Sequence, residues 1–149
     1  MYEQVYTKDM NFYDRNELAI AKQIILDLSN DILKITIEES KIVSDLDLAI
    51  LGFEPDIFDE YRMALYSEYR EPEIFSTESI YFDNMFYGLV AKFGKNLLSQ
   101  DTIYYTQPFK DTYGKRAIKN LLRMIDDANT IVYATEIRKR QLTYDDGDE

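Results

Sequence analysis

Five places in this 149-residue chain carry residue types that could do chemistry. Gly88 and the pair Gly94-Lys95 suggest a phosphate-cradling loop, in which backbone N–H groups and a lysine hold an anion. That motif needs four residues between its glycines and a Ser or Thr after the lysine. Here five residues intervene and Asn96 follows the lysine. Glu39-Ser-Lys41 has the Glu-x-Lys spacing of metal-dependent nucleases, with Pro55-Asp56 as a further fragment. The acid that should precede the Glu-x-Lys stretch follows it instead. Asp45 with Asp47, Asp126 with Asp127, and the tail Tyr144–Glu149 offer oxygen ligands for a hard cation. None has the spaced ligand set and glycine of a calcium loop. A solvated acidic surface accounts for them better.

The residues that are missing narrow the chemistry further. The chain has no His and no Cys. Ser-His-Asp and Cys-His nucleophiles are excluded, as are thiolate clusters and His- or Cys-bound zinc. The usual base near neutral pH is absent as well. Carboxylate, Lys, Tyr, Ser and Thr chemistry remains, but no spacing assembles it. The sequence therefore leads us to expect no enzyme, no cofactor and no metal site.

Charge is distributed unevenly. The formal net charge is −11. Between Glu38 and Asp83 stand thirteen acids against three bases; between Asn84 and Tyr144 stand ten bases against five acids. Two readings follow. The halves could face each other and neutralise locally, or they could form separate acidic and basic surfaces that associate with other chains. A net negative surface repels phosphate, so direct nucleic-acid binding is not expected. Tyrosine is unusually abundant, 13 against 8 Phe. Tyr packs the rim of a core with its hydroxyl wet, or serves as an interface anchor.

The elements that must position these residues read as helices. With 46% apolar residues, five Gly and three Pro, the chain can bury a core and has little turn chemistry. Asp14 with Glu17 has near-capping-box spacing. Leu18, Ala21, Ile25 and Leu28 then form a helical stripe ending near Ser29. Ile32–Ile37 is open between strand and helix. A helix is expected from Ser40 to Leu51, closed by Gly52. Pro55 suits a first helical position, followed by Ile57, Phe58, Tyr61, Leu65 and Tyr69. Phe82, Met85, Phe86, Leu89, Val90 and Phe93 form the next stripe, with Gly94 as its end. Thr102–Thr106 is β-prone and Pro108 closes it. From Asp111 or Thr112 a long helix carries Ile118, Leu121, Leu122, Ile125, Ala128 and Val132. The cluster Arg138–Arg140 suits its negative pole. The expected fold is mainly α, a small irregular bundle of four to five helices with one short β pair. It is expected as a single domain over 1–149 with a flexible acidic tail at about 144–149.

The functional expectation is a non-enzymatic assembly or adaptor protein, associating through separate acidic and basic faces with a protein partner or with its own copies, head to tail. Glu60, Tyr61, Tyr69 and Arg70 are the candidate residues on one side. Lys115, Lys119 and Arg123, spaced to form one helical stripe, are those on the other. The alternative is an acidic nucleic-acid mimic that inhibits a host nucleic-acid-binding protein through the Glu38–Asp83 region, with Asp56, Glu60 and Glu71 prominent. A carboxylate or lysine enzyme and a regulator of the antitoxin kind are weaker readings. The N-terminal stretch is charged and lacks the apolar run of a signal peptide. No stretch approaches the roughly 20 apolar residues of a membrane span. The expected location is the cytoplasm, or the virion of a virus whose structural component this would be.

Overall fold

The structure is a computed structural model that describes residues 15–29, 35–70 and 77–145. Among the described residues the protein is mainly helical and contains no strand. The elements are α1 (Arg15–Ser29), α2 (Glu38–Asp47), a 3-10 turn (Ala49–Gly52), α3 (Pro55–Tyr69), α4 (Thr77–Leu98) and α5 (Gln107–Asp145). The chain divides into two compact units, Met1–Asp47 and Leu48–Glu149.

In the first unit α1 packs against α2. The junction is a polar knot. Asp27 accepts from the Thr36 N–H at 2.8 Å, from the Thr36 hydroxyl at 2.9 Å and from Gln23 at 2.8 Å. Asp27 is only 5% exposed. Burial opposes its charge, but the hydrogen bonds from Thr36 and Gln23 prevail and hold its carboxyl well below the usual carboxylate range. The Ser40 hydroxyl adds a smaller favourable influence, although it closes no hydrogen bond of ordinary geometry. The stripe expected as the core face of α1 is not covered. Leu18, Ala21, Ile25 and Leu28 are all exposed, because α1 turns its Asp27 side to its neighbour.

The second unit is built on α5, a single helix of 39 residues. Its core joins Leu51, Phe58, Leu97, Ile103, Tyr104, Ala117, Leu121 and Met124. The clamp that holds the 3-10 turn is Asn120, 2% exposed, whose amide donates to the carbonyls of Leu51 (2.9 Å) and Phe53 (3.0 Å). Without it, two carbonyls of an irregular segment would stand against a helix with no donor. Arg116 donates to the Gly52 carbonyl at 3.1 Å. Gly52 itself lies against the Tyr113 backbone, closer than any Cβ could approach. α4 runs antiparallel to α5: Asn84 donates to Thr135 at 3.0 Å, while Gly94, ten residues on, sits against Met124 and Ile125.

Several expected boundaries change. The helix expected to run to Leu51 ends at Asp47, and the 3-10 turn carries the chain to Gly52. Gly94 does not end α4, which continues to Leu98; lacking a Cβ, it lets α5 come close. The β-prone Thr102–Thr106 forms no strand. It is an irregular bridge whose Ile103 and Tyr104 are buried, with the Tyr104 hydroxyl donating to the Leu48 carbonyl at 3.0 Å. Apolar packing, the Tyr104 bond and a Thr102 hydroxyl bond to the Tyr104 carbonyl at 2.6 Å hold the segment where no partner strand is at hand among the described residues. Pro108 opens α5 rather than closing a strand, since an N-terminal turn needs no N–H from it. Ile35, Thr36 and Ile37 are neither helix nor strand, and the start of that stretch lies outside the described residues.

Candidate protein interface

The site worth weighing is the outer surface of the second unit, where charge and apolar area meet. Its inner side shows why only some charges remain available. Between α3 and α5 the acidic and basic segments do face each other. Arg123 bridges Asp59 at 2.6 Å, and Arg62 bridges both Asp59 at 3.2 Å and Asp127 at 3.0 Å. Arg116 bridges Glu54 at 2.8 Å. These pairs are half exposed, so each contributes modestly to stability. Together they fix which side of α3 faces inward.

A second inward cluster lies between α3 and α4. The Tyr66 ring is 5.3 Å from Phe86, 5.8 Å from Phe82 and 5.7 Å from Tyr87. Its hydroxyl donates to Asp83 at 2.6 Å. Burial, reinforced by that hydrogen bond and by the Asp83 charge, pushes the Tyr66 hydroxyl up to about 12; Arg70 opposes it weakly. Tyr87 is raised by burial and then by Asp83. At the far end Lys139 donates to Asn84 at 2.9 Å and lies 5.0 Å from the Tyr81 ring centre. Its hydrogen bond to Glu136 holds that carboxyl below its ordinary range.

With these contacts fixing the inner sides, the outer sides follow at about 100° per residue. On α3, Asp56, Glu60 and Glu68 point outward with Ile57, Tyr61 and Met63, and all six are exposed. Met63, at 71%, is among the most exposed apolar residues of the protein. Elsewhere on the α4–α5 pair, Met85 and Leu89 of α4 and Ile118 and Leu122 of α5 are exposed. The antiparallel register of Asn84 with Thr135 and Gly94 with Ile125 places the two α5 residues beyond Gly94, toward the C-terminal end of α4, and not beside Met85 and Leu89. Lys92, Lys95 and Lys115 are exposed too. Ile118 and Leu122 belong to the stripe expected as the core face of α5, of which Leu121 and Ala128 are buried. Ile118 and Leu122 are exposed because α3 covers only one side of the α4–α5 pair.

The predicted residues therefore separate. Asp56, Glu60 and Tyr61 share the outer face of α3. Tyr69 is 65% exposed at the end of that helix, and the Arg70 guanidinium lies 5.6 Å from the Tyr66 ring centre. Glu71 lies outside the described residues. Lys115 and Lys119 are exposed on α5, but Arg123, their expected companion, is turned inward to Asp59 and to the Pro55 carbonyl. Spacing alone gave no sign of Asp59, Asp127, Asn120 or Asp27 as partners beyond their own helices. The Asp59–Arg62, Glu136–Lys139 and Gln23–Asp27 pairs, three or four apart on one helix, were within reach of a sequence rule; the contacts between helices were not.

The chemistry-bearing motifs fall on ordinary helix surfaces. Gly88–Lys95 is an interior stretch of α4, and Glu39 and Lys41 sit in α2. Among the described residues no group of three or more acids could hold a metal ion, and no helix is long and apolar enough to cross a membrane. The chain matches no family model, no curated protein and no solved structure.

Proposed function

We propose that the protein is a non-enzymatic assembly or adaptor protein that holds other protein chains through the outer faces of its second unit. The observation that carries this reading is the pairing of uncovered apolar rows with unbridged charge. Ile57, Tyr61 and Met63 are exposed among acids on α3, and Ile118 and Leu122 are exposed among lysines on the α4–α5 pair. Mixed apolar and charged surfaces of this kind mark protein contacts. The nucleic-acid-mimic reading needs a broad acidic surface. Within the Glu38–Asp83 region Glu38 is bridged to Lys41, Glu54 to Arg116 and Asp59 to Arg62 and Arg123, so part of its acidic charge is already answered within the chain.

The test is the mass of the purified protein by light scattering at low and high salt. The expected result is a discrete multimer whose mass falls as salt rises without reaching the monomer, because apolar contact persists when charge is screened. A mass of 17.6 kDa at both salts overturns self-assembly and leaves only a different chain as the partner.

A further inference from the structure

We infer that the partner is a second copy of this chain, and that the outer face of α3 in one copy seats on the open side of the α4–α5 pair in the next. This rests on the assembly reading above and specifies its contact. Three observations converge on it. The first is sign. The α3 face carries Asp56, Glu60 and Glu68 and no outward base, since Arg62 is bridged inward. The receiving side carries Lys92, Lys95 and Lys115, with Lys119 at its edge, against the exposed acids Asp111 and Asp126. None of these lysines forms an ion pair within the chain among the contacts described. The surplus on each side is opposite, so the two surfaces attract each other and each repels itself.

The second observation is shape. α3 is a single 15-residue helix, about 22 Å long, whose outer side carries Ile57 and Tyr61 one turn apart on one flank and Met63 on the other. The receiving side is the seam between two antiparallel helices toward the C-terminal end of α4, where Ile118 and Leu122 of α5 are exposed and the register of Gly94 with Ile125 brings Lys92 and Lys95 of α4 into the same stretch. A helix laid into such a seam is a common way of burying amphipathic surface. The third is direction. The two surfaces lie on opposite sides of one unit, because α3 occupies the side of α4–α5 that the seam does not. The contact is therefore heterologous: each copy has one donor face and one acceptor face, and copies add head to tail into a ring or an open chain.

Charge reversal tests this. Lys92→Glu with Lys115→Glu makes both faces of a copy acidic, and Asp56→Lys with Glu60→Lys makes both basic. All four positions are exposed, so each variant should keep the wild-type helix signal and urea midpoint. At low salt each variant alone should lose association by about tenfold or more. The two mixed in equal amounts should regain the wild-type mass, since every donor face then meets an acceptor of opposite sign. Variants that assemble like wild type, or a mixture that stays monomeric, overturn the assigned contact while self-assembly by wild type still stands. A wild-type chain monomeric under the same conditions overturns self-assembly altogether, and this contact with it. Leu122→Asp, which leaves the lysines in place, should also lower the mass; an unchanged mass removes the seam from the interface.

Discussion

Replacing Gly52 with alanine should destabilise the second unit, and the structure gives the size. A Cβ at Gly52 would stand 2.4 Å from Tyr113 Cβ and 2.9 Å from the Tyr113 Cα and carbonyl oxygen. Ordinary carbon contact is about 3.5–4.0 Å, so the 3-10 turn and α5 must separate by about 1 Å. The turn cannot simply slide, because Asn120 and Arg116 hold the carbonyls of residues 51 to 53. Nor can α5 recede without cost, because Ala117 and Leu121 of the same helix are fully buried in one core with Leu51. Overpacking of this kind costs about 1–3 kcal/mol. Relief of glycine's backbone entropy offsets about 0.5–1 kcal/mol. The net is about 1–2 kcal/mol, read in urea as a midpoint lower by roughly 0.5–1 M. Gly114, one residue beyond Tyr113, provides the contrast. Nothing lies within 4 Å of a Cβ there, and neither glycine has a positive φ. Gly114→Ala should therefore stabilise by about 0.5–1 kcal/mol. If both substitutions move the midpoint the same way, the steric argument is wrong.

Two further outcomes are expected. Asn120→Ala strands the buried Leu51 carbonyl and removes the donor to the half-buried Phe53 carbonyl, and should cost about 2–4 kcal/mol in urea unfolding; a loss below about 1 kcal/mol would refute the clamp. Tyr66 titrates at about 12 in the folded state against 10 for a free tyrosine. Because the folded value is raised, the stability Tyr66 contributes is complete below about pH 10 and is lost as pH rises toward about 12. In an alkaline absorbance titration Tyr66→Phe should remove one late-ionising tyrosine, and an unchanged late phase would count against its burial beside Asp83.

The helices were legible in the sequence, but the covered faces were not. Periodicity located α1, α3, α4 and α5, because apolar spacing of three and four residues signals a helix whatever covers it. It could not say which stripe is covered. Ile118 and Leu121 are equally apolar and three apart, yet only Leu121 is buried, because α4 and the 3-10 turn pack on that side of α5. Thr102–Thr106 misled because β-propensity describes a pleated, half-buried surface and no partner strand exists for it among the described residues. The acidic and basic segments were visible as runs of charge. Their mutual neutralisation by Asp59, Arg62, Arg123 and Asp127 was one of two open readings, and choosing between them needed tertiary proximity.

The clamp on the 3-10 turn also sets an order of events during synthesis. Leu51, Phe53 and Asp59 find their partners Asn120 and Arg123 between 64 and 69 residues later in the chain. At a translation speed of about 5–20 residues per second, the earlier segment waits about 3–14 s for its partner. Throughout that interval Leu51 and Phe58 have no α5 to pack against, although α3 can already coil locally. The nascent chain is thus most exposed to chaperones and to sticking with its neighbours just before its last helix is made, and a slowed ribosome over residues 107–124 would lengthen that exposure.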